Sequence, residues 1–202
     1  MHTNFEECLN ESVALHGHLC AGQVIGVRMA LLALSKLGIQ DPKGQDRKKV
    51  YVIVEIDRCA TDAIQSVTGC SLGKRTMRHE DLGIMAATFI NLSSFDAVRV
   101  TAREDSRELS KKYFPDVIDK YEQQLLAYKI MPDNELFSVQ NVHVSIPEED
   151  MPGKPLSRVV CQSCGDWVQD RREVIKNQRI LCRGCANGKY YSIKNGISND
   201  TA

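Results

Sequence analysis

Aromatic residues are scarce in this chain, at six per cent of 202 residues, but 43% hydrophobic content is still enough to bury one good core and leave residues for a small module. An excess of charge is also missing. The 26 basic residues are balanced by 26 acidic ones, which gives no support to a general nucleic-acid or membrane-surface role. No apolar run is long enough to span a bilayer, and Glu6, Glu7 and Glu11 interrupt the first apolar positions, so nothing resembles a signal peptide. A soluble, cytoplasmic protein is the expectation. Internal repeats are absent too.

What the chain does have is cysteine. Four of its eight cysteines fall in paired C-x-x-C steps, a pattern that metal and reactive thiols explain better than disulfides do. The stretch His16-Gly17-His18-Leu19-Cys20-Ala21-Gly22 places two imidazoles and a thiol together with little bulk between them. Upstream, Phe5, Leu9 and Val13 mark one face of a short helix, with Thr3 and Glu6 spaced as a capping box. Downstream, a longer apolar helix runs to Gly38. The stretch therefore links one helix C-terminus to the next N-terminus, where free amides and the helix dipole favour an anion or a thiolate.

Beyond a polar loop, KVYVIVEI reads as a buried central strand, and Cys59 follows where strand gives way to helix. The first helical turn there is expected to lower the Cys59 pKa, with Asp62 one turn on. The glycine-rich, basic segment holding Cys70 and Lys74 suits a loop that meets an anionic group. IMAATFIN and DAVRVTA are strand candidates joined by a turn, and the following helical stretch breaks near Pro115, expected at the start of a second piece. ELFSVQNVHVSI is a last extended segment. Strands and helices do not alternate regularly, so the expected class is α+β, a mixed core domain followed by a small module.

The boundary falls in PEEDMPGKP, where three prolines, one glycine and three acids within nine residues hold neither helix nor central strand. The expected organisation is a core over 1–146, a linker over 147–157 and a zinc finger over 158–202. In the finger, Cys161-x-x-Cys164 and Cys182-x-x-Cys185 are separated by seventeen residues. Four thiolates on two knuckles close a tetrahedral site with no open position, which makes the metal structural zinc, with a rubredoxin-like iron as competitor. So small a module draws its folding energy from the metal.

HGHLCAGQVIGVRMA, CATDAIQSVTGCSLGK and DLGIMAATF together resemble the FmdE (FwdE) family, named for a component of formylmethanofuran dehydrogenase. Gly26, Arg28, Cys59, Asp62, Thr68, Gly69, Cys70, Gly73 and Lys74 match its motifs, while Ala21 and Ser71 depart from the usual proline and threonine. The resemblance implies an α+β core with a metal site, frequently a homodimer, and an association with molybdenum or tungsten enzyme subunits. The C-terminal piece is similar to the treble-clef finger of DnaK-suppressor (TraR-like) proteins. Fold and family leave the activity open.

Two functional classes follow. In the first, a metal-dependent enzyme or enzyme subunit holds zinc or iron through some of His16, His18, Cys20 and Cys59, with one position open. Asp62 or Glu55 then serves as base, Lys74 and Arg28 bind a small anionic ligand, and Cys70 is a redox-active or packed thiol. In the second, the chain is a metal carrier or a docking module for a molybdenum or tungsten enzyme. Arg171, Arg172, Lys176 and Arg179 make the finger locally basic, but no recognition helix announces itself and nucleic acid is not an expected partner. The apolar second helix is expected to need a second subunit as cover.

Overall fold

The computed structural model describes residues 4–194, and the chain divides into two compact units that meet at Ile146–Pro147. The first unit opens with α1 (Phe5–His16) and α2 (Ala21–Lys36), followed by β1 (Val50–Val54), α3 (Cys59–Thr68), β2 (Met77–His79), β3 (Ala86–Asn91) and β4 (Ala97–Ala102). α4 (Ser106–Tyr113), α5 (Lys120–Ile130), the single turn α6 (Asp133–Leu136) and β5 (Phe137–Val142) complete it. The sheet runs β2-β1-β3-β4-β5; β1 and β2 are parallel and every other pair is antiparallel. This is the mixed α/β core expected of the sequence.

α2 lies at the centre, against α1, α3 and α5 and against strands β3 and β4. Val24, Val27, Met29, Ala30 and Ala33 are buried there within one chain, while Leu31 and Leu32 are half-buried. Part of the cover for α2 comes from α5, on a face that the sequence pattern leaves open.

Two helix starts differ from expectation. α1 is capped by Asn4, whose Oδ1 accepts the Glu6 amide at 3.1 Å; Thr3, the expected cap, lies outside the described residues. Pro115 does not start the second helical piece. Asp119 does, by accepting the amides of Tyr121 and Glu122 at 3.0 and 2.8 Å and satisfying donors that a proline leaves open.

The second unit consists of two hairpins, β6 (Arg158–Val160) with β7 (Trp167–Gln169) and β8 (Val174–Lys176) with β9 (Arg179–Leu181), followed by the short helix α7 (Arg183–Asn187). Its apolar centre is small: Cys161, Val168, Leu181 and Ala186. The acidic stretch that opens this unit is not loose. Glu148–Asp150 forms a 3-10 turn, with Glu148 bound to Arg171 at 2.8 Å and Asp150 to Arg172. Lys176 and Arg179 donate to the carbonyls of Ala186 and Gln162, so Arg171, Arg172, Lys176 and Arg179 are all engaged within the module.

Candidate metal centre

Three helix ends bring one side chain each to a common point. His16 is the last residue of α1, which Gly17 closes in the left-handed region at φ 96°. Cys20 is the N-cap of α2; its carbonyl accepts the amides of Gln23 and Val24, and its thiol makes no capping bond. Cys59 is the first residue of α3, delivered by β1. One ligand atom from each of His16, Cys20 and Cys59 lies within 4.8 Å of the others. The close approach depends on glycine, since a Cβ on Gly22 would stand 2.9 Å from the Cys59 Cβ.

The donor set is ready for a cation. His16 Nδ1 lies 2.8 Å from Asp62 Oδ2, and the opposite nitrogen, Nε2, is buried with no hydrogen-bond partner. Leaving a ring nitrogen buried and unpaired is costly unless something fills it. The Cys59 thiol is pushed up from its usual value, first by burial and then by the hydrogen bond and charge of Cys20. This reverses the lowering expected from the helix N-terminus, because burial first and the neighbouring Cys20 sulfur second disfavour the Cys59 anion. Imidazole and two thiolates are ligands that suit zinc or iron.

Other sequence candidates fall elsewhere. The exposed His18 ring stands against that of His16, with centroids 4.6 Å apart, and it is not one of the three clustered residues. Asp62 holds His16. The ten residues of α3 span ~15 Å, so Cys70 and Lys74, which follow its C-terminal end, lie far from Cys59. Cys70 is buried against the Val50 carbonyl, and exposed Lys74 donates to the Gly69 carbonyl at 2.9 Å. Arg28 joins α2 to the Tyr128 carbonyl and to Asp133. Glu55 is not a free base but a buried partner of Arg99, which grips both its carboxylate oxygens at 2.7 and 2.6 Å. Gln23, which the sequence reading passes over, is wholly buried beside the centre. Its signal was an amide side chain in the first turn of a mostly apolar helix.

In the second unit, ligand atoms of Cys161, Cys164, Cys182 and Cys185 likewise lie within 4.8 Å of one another. Amides from Cys164 and Cys182 lower the Cys161 thiol to about 6. Cys164 accepts an amide from Asp166 yet is raised, because the Asp166 carboxylate, burial and the sulfurs of Cys161 and Cys185 crowd it. All four positions of a tetrahedral metal would be taken by protein sulfur.

A family model described as "FmdE, Molybdenum formylmethanofuran dehydrogenase operon" matches residues 15–138, a range that contains His16, Cys20 and Cys59. A probable S-adenosyl-L-methionine-binding protein of Archaeoglobus fulgidus is 30% identical over 198 residues, covering 88% of this chain and 52% of its own. The chain thus spans about half the length of that curated relative. The crystal structure of a tungsten formylmethanofuran dehydrogenase FmdE-like protein from Syntrophus aciditrophicus superimposes with a TM-score of 0.62 at 21% identity. That match covers 93% of this chain and 95% of the other, and it is a likeness of fold.

Proposed function

This chain belongs to the FmdE family, and from that premise we propose that its core unit is a metal-dependent enzyme or enzyme component whose metal is held by His16, Cys20 and Cys59. One observation carries the reading: His16, whose buried Nε2 has no hydrogen-bond partner, stands in one cluster with the thiols of Cys20 and Cys59. Three protein ligands leave a fourth position, the mark of a catalytic rather than a structural site. The chemistry such an ion supplies when bound is Lewis acidity at that position.

The chain's own residues do the rest. Asp62 accepts from His16 Nδ1–H, which fixes the tautomer and leaves the Nε2 lone pair available to a cation. His18, exposed beside His16, is placed to hold or move a proton at its imidazole. Gly17 keeps the approach free of side-chain bulk. The family's description and the tungsten enzyme named for the structural neighbour support one-carbon or molybdenum and tungsten metabolism as the setting, with components of such an enzyme as partners.

Exposure of Gly17, His18 and Leu19 also favours a second reading, in which the same centre is exchangeable and the protein carries metal. Anomalous scattering and elemental analysis of the intact protein, of Cys59→Ser and of His16→Ala test the centre. Two metals per chain are expected for the intact protein and one for each variant. An intact protein holding only the four-cysteine metal, or variants that keep both, would overturn the assignment. Exchange of the core metal within minutes against an isotope favours the carrier; retention over hours favours the enzyme.

A further inference from the structure

Ser12 and Gln23 are both wholly buried in the helical core, at 0% exposure. They form a directed chain: the Ser12 hydroxyl donates to Gln23 Oε1, and Gln23 Nε2 donates to the Cys59 carbonyl at 2.6 Å. The orientation of the amide is dictated by chemistry. A carbonyl only accepts, so nitrogen must face Cys59 and oxygen must face the hydroxyl.

Each member of this chain sits on an element that supplies one of the three clustered side chains. Ser12 lies one turn before His16 on α1, Gln23 lies one turn after Cys20 on α2, and Cys59 is itself the first residue of α3. Apart from the His16–Asp62 bond between α1 and α3, the three helices meet largely on small and apolar residues. On α2, Gly22 and Gly26 face α3 so closely that a Cβ on Gly26 would meet the Ala60 carbonyl at 2.5 Å. A smooth surface of that kind sets the distance between helices but not their rotation or sliding, whereas hydrogen bonds are directional.

Buried polar groups contribute little net stability compared with apolar replacements of the same shape, so their value here is geometric. We infer that the Ser12–Gln23–Cys59 chain is a positioning device that locks α1, α2 and α3 in the register that brings His16, Cys20 and Cys59 to one metal. The inference rests on the metal reading above. The hydrogen bonds of Ser12 and Gln23 run to each other and to the Cys59 carbonyl, so they act through the Cys59 backbone and through the rotation of α1.

The test uses the full chain stripped of metal and titrated with Co2+, with Cys59→Ser as the reference for uptake by the four-cysteine site alone. Gln23→Met keeps the volume but removes the donor to Cys59, and Ser12→Ala deletes one hydroxyl. Each is expected to weaken Co2+ binding at the core ~10–100-fold, the usual effect of losing a group that orients a ligand. The core's cobalt absorption bands are expected to shift, while those of the four-cysteine site and the far-ultraviolet circular dichroism stay unchanged. The double variant is expected to be no weaker than Gln23→Met alone, because both changes cut one chain. Wild-type affinity and bands in the variants would overturn the inference while leaving the metal reading intact. If the wild type takes up no more Co2+ than Cys59→Ser, the metal reading fails and takes this one with it. Should Gln23→Met not fold, Ser12→Ala carries the test.

Discussion

Asp62 Oδ2 lies 2.8 Å from His16 Nδ1, joining the first turn of α3 to the last residue of α1 across forty-six positions of sequence. The carboxylate is half exposed and the imidazole is mostly buried, so the pair contributes orientation more than stability. Asp62→Asn is expected to weaken metal binding at the core ~10–100-fold while the four-cysteine site keeps its affinity, read by competition with a chromophoric chelator.

The single tryptophan, Trp167, lies in β7 of the second unit, with the Arg158 guanidinium 4.7 Å from its ring centroid. Its fluorescence therefore reports on that unit alone. Cys161 is buried among only a few apolar neighbours, so Cys161→Ser or metal chelation is expected to unfold the module and release the exposed indole from Arg158, which changes its emission intensity. Helical circular dichroism from the first unit is expected to persist. Unchanged emission after metal removal would count against a structural metal.

Gly26→Ala sets two effects against each other. Alanine gains ~1 kcal/mol of helix propensity over glycine. Against that, the new methyl would sit 2.5 Å from the Ala60 carbonyl and 2.6 Å from the Ala63 Cβ, contacts that only a shift of α3 can relieve. Overpacking of this kind costs ~1–3 kcal/mol, so a net loss of stability is expected in urea melts.

Glu55 is 5% exposed and its carboxylate is held by Arg99. Arg99→Met strands that charge in the core. The cost of breaking a buried pair is ~3–5 kcal/mol, and the partial exposure of Arg99 puts the expectation at the low end. Glu55→Gln together with Arg99→Met is expected to recover most of the loss. Metal content at the core is expected to be unchanged in both, since the pair lies outside the His16, Cys20 and Cys59 cluster.

Burial and Cys20 hold the Cys59 thiol above its ordinary range, so it is protonated at neutral pH when no metal is present. Metal entry must displace that proton. The apparent affinity of the core for Zn2+ is therefore expected to rise with pH, about tenfold per unit for each proton released, up to the free thiol's own titration. Calorimetric titrations in buffers of different ionisation enthalpy count those protons directly; a pH-independent affinity would contradict the expectation.

Local patterns made much of this fold legible. The β-branched run before Cys59 is β1, the two runs around LSSFD are the β3–β4 hairpin, and the glycine after α2 falls where the helix closes. Short, non-local elements were harder to read. β2 has three residues and exists because Met77, Arg78 and His79 find parallel partners on β1. The site divides in the same way. His16 and Cys20 belong to one loop, but the difference between His16 and His18 depends on Asp62, far along the chain. Cys70 and Lys74 share a motif with Cys59 in sequence, yet a helix between them separates them in space.

The sheet ends in strands that make poor templates. β2 is three residues long, with His79 exposed, and β5 presents exposed Ser138, Gln140 and Asn141. Short or polar edges resist the edge-to-edge pairing that drives cross-β aggregation. Growth of this sheet into a neighbouring molecule is thereby discouraged, and assembly with another protein falls to helix and loop surfaces.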